Sequence, residues 1–359
     1  MINLVLLFGG KSVEHDISVI TYKQVLGAVD LKKYNVLSVY LDKNNDFYLL
    51  KKLNGLIIEK KNLKKCKFIK KNGLVYCNKF KVDCVLNCVH GKGLEDGTIS
   101  GYLDLLGVSY TNSSLESSNI FHNKFYTKLI LEKYNINCVD YEYVKKNEWE
   151  NNQADVVRRL NRFNEKIVKP VNLGSSVGVK VCNKETLIDA LDDGFRYDNG
   201  IIVEEKLNKF LELNQAFYTL NNEFIISKIE EVKNDSSVYE FKDKYENDDI
   251  LRVVPAKINY QLRSKITKTT KKIGQIMDSK GVVRVDYLYD LEKNILYVNE
   301  VNVIPGALSF YLFEAKNIYF NMLIDDLVKE AIRVNLKEKE MIKIFNSNVL
   351  DKKRFNKLK

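Results

Sequence analysis

The chain has 359 residues, 45% of them hydrophobic and 29% charged, and a formal net charge of +10. That length fills two or three domains, and no window is long and apolar enough for a membrane span. The charge does not describe a nucleic-acid binder, because the lysines are spread along the whole chain and build no aromatic and basic module.

The opening segment Met1–Gly10 has no basic flank, and its short apolar run ends in Gly9-Gly10. It reads as a buried strand feeding a turn, not as a signal peptide. Val36–Leu41 and Cys84–Val89 are further strands, each nearly continuous in apolar residues, as parallel strands covered on both faces are. An N-terminal α/β domain with a doubly wound parallel sheet follows, over residues 1–118. Two polar loops lie at carboxyl ends of its strands, where such domains bind ligands. One is Gly9–Asp16, with Glu14; the other is His90–Thr98, with Glu95. Taken alone, the first suggests only a turn and a helix cap, and one histidine is more often an ordinary loop residue.

A helix is expected from about Ser117 through Tyr134. Lys166–Pro170 and Gly178–Val181 then read as strands on either side of a Gly/Ser loop, closing a central unit over 119–200. Ile201–Glu205 opens a strand-rich unit over 201–345 that ends in helices after about Asn321. Residues 346–359 form a basic tail whose plainest role is a solvated terminus. The six cysteines are scattered without a zinc pattern, as in a reduced cytoplasmic protein.

The most informative segment is Val282–Leu288, followed after a polar turn by Leu296–Asn302. Strand side chains alternate, so Arg284, Asp286 and Leu288 share one face, and Val298, Glu300 and Asn302 share another. A hairpin centred on Lys293 sets Asp286 opposite Glu300 and Arg284 opposite Asn302, with Cβ atoms roughly 5 Å apart. Two carboxylates that close repel unless a cation lies between them, and oxygen and amide ligands favour Mg²⁺ or Mn²⁺. One such pair would be an edge hairpin with a solvated face. Three polar side chains in register, followed at once by Val303-Ile304-Pro305-Gly306, point to a metal site instead.

Upstream, Lys169 ends a strand and is followed by the loop Val171–Gly178, which contains Ser175 and Ser176. Such a loop can turn backbone N–H groups towards phosphate oxygens, although it is no Walker A loop. Next to a metal-binding hairpin it becomes a nucleotide clamp.

In this order the motifs resemble the D-alanine–D-alanine ligases of the ATP-grasp superfamily. They are Gly9-Gly10-Lys11-Ser12-Val13-Glu14, His90-Gly91-x-Gly93-x-Glu95-Asp96-Gly97-Thr98, Lys169-Pro170 with Gly174–Gly178, Lys244-Tyr245, Arg284-Val285-Asp286, and Glu300-Val301-Asn302 with Pro305-Gly306. The resemblance implies a three-domain ATP-grasp architecture. It also implies ATP-dependent joining of two D-alanines through an acyl phosphate, for peptidoglycan synthesis in the cytoplasm.

Carried over, Glu14 would anchor the first substrate's ammonium, with His90 and Glu95 lining the same pocket. Lys124 and Lys169 would contact phosphates, with Ser175 and Ser176 in the loop that closes over them. Glu204 and Leu207 would form the adenine hinge and Glu212 would hold the ribose. Lys244 and Tyr245 would belong to a covering loop. Arg284 and the Gly306 N–H would stabilise the oxyanion, while Asp286, Glu300 and Asn302 would hold two Mg²⁺ or Mn²⁺ ions. The implied partners are small molecules, with no nucleic acid or membrane and a homodimer as the assembly considered. After Gly306 the family commonly has a Thr/Ser-rich stretch that helps bind the second substrate; here it is Ala307–Leu312, with Tyr311 in it. D-serine, D-lactate or another amino acid are therefore alternative second substrates. Lys206 occupies a position near adenine where an aromatic is common.

Overall fold

The computed structural model describes residues 1–233, 251–277 and 279–347. Strand Ile2–Gly9 is buried from Leu4 onwards and pairs in parallel with Tyr34–Leu41 on one side and Cys84–Asn87 on the other. These strands and Ser109–Tyr110 make the parallel body of a six-stranded sheet, to which Phe47–Leu50 and Leu63–Lys65 add an antiparallel edge. A separate antiparallel sheet of Phe68–Lys71, Leu74–Cys77 and Phe80–Val82 was not expected. Its strands are only three or four residues long, too short for alternation to register.

The continuous helix expected from Ser117 to Tyr134 is two helices, Leu115–His122 and Lys124–Lys133. Asn123 divides them: its backbone is extended, and its side-chain oxygen accepts from the N–H groups of Phe125 and Tyr126. That is an N-cap, which a residue with a short polar side chain supplies in mid-pattern. The break leaves His122 and Lys124 at the junction.

Four strands follow in the order Tyr141–Lys145, Gly200–Glu205, Lys166–Pro170, Lys180–Cys182, over a core that includes Trp149, Val168, Leu191 and Val203. A five-stranded antiparallel sheet then runs Leu251–Val253, Glu223–Lys233, Phe210–Leu220, Val283–Asp290, Ile295–Asn302. The long helix Phe320–Glu340 shares a core with the first sheet, and Asp325 is tied to it by the Tyr34 hydroxyl at 2.8 Å. Among the described residues no helix is long and apolar enough to cross a membrane.

Candidate active site

The loop after the first strand brings Glu14 to the start of helix His15–Ala28, where its side chain caps no backbone N–H. Instead Oε1 accepts from the Ser175 hydroxyl, while Oε2 is buried with no hydrogen-bond partner among the described residues. Two glycines allow this closeness. At Gly91, with φ +87°, a Cβ would lie 1.9 Å from Ser12 Oγ, and at Gly174 one would lie 2.9 Å from Glu14 Oε1. Burial raises the pKa of Glu14 above the ordinary carboxylate value, and the charge of Glu95 raises it further.

Glu95 lies between two imidazoles, 3.4 Å from His90 Nδ1 and 3.2 Å from His122 Nδ1. Burial pushes its pKa up, but hydrogen bonds from His122 and His90 outweigh that and hold it at about 2. Burial lowers the pKa of His122, yet the Glu95 carboxylate leaves it raised overall. His90 Nε2 is 2.9 Å from Thr21 Oγ1, which accepts the Ala307 N–H at 3.1 Å. One chain of polar contacts thus links Glu95 to the backbone beside Gly306.

Lys169 donates to Glu204 Oε2 at 2.6 Å and to Asn299 Oδ1 at 3.1 Å. Lys128, which sequence reasoning missed, pairs with Glu204 Oε1 at 2.9 Å. Burial would raise the pKa of Glu204, but the Lys128 and Lys169 charges hold it at about 2. Lys124 Nζ reaches the Leu173 carbonyl at 2.5 Å and lies 3.6 Å from Glu300. Between these lysines and Glu14, the loop turns through Ser175 and Ser176 with φ of +51° and +57°. Leu207 is buried, and Lys206 pairs with Glu165 at 3.0 Å.

The hairpin has the expected register at its working end, Asp286 against Glu300 and Arg284 against Asn302. The expected common face for Val298, Glu300 and Asn302 is not found. A bulge after Asp286 shifts the pairing so that Tyr287 meets Val298. Val298 therefore packs in the core with Val301 and Val303, and Asn299 is turned to Lys169. The repulsion argument for a metal is also corrected, because the protein supplies cations of its own. Arg284 grips Asp286 through two bonds of 2.6 and 2.7 Å, Asn302 Nδ2 donates to Asp286 at 3.0 Å, and Lys124 lies beside Glu300. The donor chemistry of Asp286, Glu300 and Asn302 still suits a hard cation.

Glu14, His90, Glu95, Ser175, Glu212, Arg284, Glu300, Asn302, Gly306 and Tyr311 line one cleft with a cavity volume of about 260 Å³. Lys124 lines an adjoining recess that shares Glu95, Glu300 and Asn302 with it. Asp286 and Lys169 stand one contact behind these walls, through Arg284 and Asn299, and Glu204 stands behind Lys169. Lys244 and Tyr245 lie outside the described residues. Thr21, His122 and Arg252 also line the cleft or its recess and were missed. Lys128 had a signal, since it lies four residues after Lys124 on one helix face; Arg252, in an otherwise plain strand, had none.

The family models for the N-terminus and C-terminus of D-ala D-ala ligases match residues 3–113 and 130–332. The chain belongs to the D-alanine–D-alanine ligase family. A D-alanine–D-alanine ligase of Thermosipho africanus is 35% identical over 98% of this chain and 99% of its own length. One from Clostridium acetobutylicum is 33% identical over 92% of this chain and 98% of its own. The ATP-grasp fold is shared with the Coxiella burnetii D-alanine–D-alanine ligase structure, at a TM-score of 0.81 and 23% identity over 95% of this chain and 97% of that one. It is shared as well with the VanG D-Ala:D-Ser ligase of Enterococcus faecalis, at 0.79 and 24% over 92% and 99%.

Proposed function

We propose that this cleft joins two D-alanines at the cost of one ATP. The carboxylate of the first attacks the γ-phosphate, releasing ADP and leaving an acyl phosphate. The amine of the second attacks the acyl carbon, and the tetrahedral intermediate expels phosphate while the nitrogen loses a proton. The observation that carries this reading is a buried carboxylate oxygen, Glu14 Oε2, with no hydrogen-bond partner among the described residues, in one cleft with the Arg284 guanidinium.

An ammonium satisfies that oxygen and lowers the pKa of Glu14, which holds the first substrate with its carboxylate towards Arg284. Arg284, already aligned by Asp286, and the Gly306 N–H face the charge that develops on the carbonyl oxygen; each donor of this kind is worth roughly 3 kcal/mol. Lys124, Lys169, Ser175 and Ser176 take the phosphates, while Glu204, Leu207 and Glu212 take the adenosine. Asp286, Glu300 and Asn302 would hold Mg²⁺ or Mn²⁺, which offsets phosphate charge during transfer. The paired, low-pKa Glu204 fixes the direction of the Lys169 ammonium.

A different second substrate, D-serine, D-lactate or another amino acid, is the other reading, raised by the bulkier and more apolar Ala307–Leu312 in place of a Thr/Ser-rich stretch. The experiment offers ATP and D-alanine with D-alanine, D-serine or D-lactate as acceptor, products being identified by mass. D-alanyl-D-alanine as the main product is expected. A main product with another acceptor overturns the substrate, and no product with any of them overturns the ligase reading.

A further inference from the structure

The sheet side of the cleft carries a polar cluster that this chemistry leaves unused. Glu230, with no exposed surface, accepts from Asn214 Nδ2 at 3.0 Å, from the Tyr311 hydroxyl at 3.0 Å and from Arg252 Nη1 at 3.1 Å. That same Nη1 is 3.2 Å from the Tyr311 hydroxyl. Arg252 thus uses one nitrogen, and its Nε and Nη2 make no hydrogen bond within the described residues. Its side chain is 45% exposed and lines the cleft. The other cleft arginine, Arg284, has Nε and Nη2 bonded to Asp286.

A guanidinium held at one nitrogen by a buried carboxylate and a hydroxyl keeps Nε and Nη2 as a side-on pair of donors, the pair a second carboxylate accepts. The same cleft also carries the carboxylates of Glu14 and Glu95, and a zwitterion bound in it puts its ammonium towards them. The acceptor must point its neutral amine at the acyl carbon beside Arg284 and Gly306. Its own carboxylate then needs a cation that Asp286 has not taken.

We infer that Arg252, braced by Glu230 and Tyr311, is a specificity-determining residue that docks the carboxylate of the acceptor amino acid. The cluster makes the ligase select acceptors with a free carboxylate over amides of the same shape. This rests on the ligase reading.

D-alanine and D-alaninamide compete as acceptors in one reaction, since the amide has no carboxylate to activate and cannot act as donor. The two products differ in mass. The wild-type enzyme is expected to favour D-alanine strongly. In Arg252→Gln/Glu230→Gln, which leaves no unpaired buried carboxylate, that preference should fall about tenfold to a hundredfold, the loss of a charge-assisted contact. The KM of the donor site should stay within about twofold, whereas a merely structural role would move both sites. Tyr311→Phe, which keeps the ring packing, should lower the preference in the same direction by a smaller factor. An unchanged preference in a double variant that still forms dipeptide overturns the assignment; if the double variant does not fold, an unchanged preference in both Tyr311→Phe and Arg252→Lys does so. A wild-type chain that makes neither product overturns the ligase reading and the acceptor site with it.

Discussion

Lys128→Met removes one of the two cations that hold Glu204, and the cost can be worked from the geometry. The three side chains are 2%, 3% and 11% exposed, with contacts of 2.9 and 2.6 Å, so water screens little. Glu204 falls from an ordinary 4.5 to about 2. At 1.36 kcal/mol per pH unit, that drop is worth roughly 3 kcal/mol of native stability. A depressed carboxylate contributes that stability above pH 4.5 and loses it as pH falls towards 2. Methionine preserves the length of the lysine stem but leaves Glu204 with Lys169 alone and the Val139 carbonyl without its 3.2 Å donor.

A loss of about 3 kcal/mol near neutral pH is expected, in the range for breaking a buried pair, with the acid limb of stability moved to higher pH. The assay is urea unfolding followed by fluorescence of the single tryptophan, Trp149, which is buried in the same core as Val203. In a Glu204→Gln background the same substitution deletes an uncompensated buried ammonium and should cost close to nothing. A cost below about 1 kcal/mol in the wild-type background, or equal costs in both, would refute the triad as a coupled unit.

Glu14 must be ionised to hold an ammonium, so kcat/KM for the first D-alanine should fall as pH drops through a pKa above 4.5, and Glu14→Gln should remove that acid limb while raising KM; a profile flat down to pH 4.5 contradicts the assignment. Asp286→Asn is expected to abolish turnover while thermal melting detects a folded protein, because Asn302 and the amide still engage the neighbourhood. Asp286→Ala should also destabilise the fold by about 3 kcal/mol, since Arg284 is left buried without its partner. Full activity in Asp286→Asn would sink the metal role.

The legible parts of the sequence were those governed by local periodicity. The apolar run Ile2–Gly9 and the alternation through Val283–Asp290 gave strands, and the register of Asp286 with Glu300 followed from counting across the turn. What periodicity could not carry was the bulge after Asp286, where one extra residue turns Asn299 to Lys169 and returns Val298 to the core. The break at Asn123 was hidden because a capping side chain interrupts a helix without disturbing its apolar pattern. Arg252 and Glu230 face each other only through the pairing of Leu251–Val253 with Glu223–Lys233, and no motif announces that contact. Glu14 and His90 were named through the ordered motifs alone, because a single polar loop residue carries no signal of its own; the close approach that Gly91 and Gly174 permit around Glu14 shows only in the fold.

The central claim is an acyl-phosphate ligase, and the decisive measurement is oxygen transfer from substrate to phosphate. The chain is incubated with ATP and D-alanine carrying ¹⁸O in its carboxyl group, and the released phosphate and dipeptide are weighed by mass spectrometry. If the D-alanine carboxylate attacks the γ-phosphate and is later expelled with it, each phosphate carries one ¹⁸O for each dipeptide formed. Dipeptide accompanied by unlabelled phosphate, or ATP turnover without dipeptide, contradicts the mechanism.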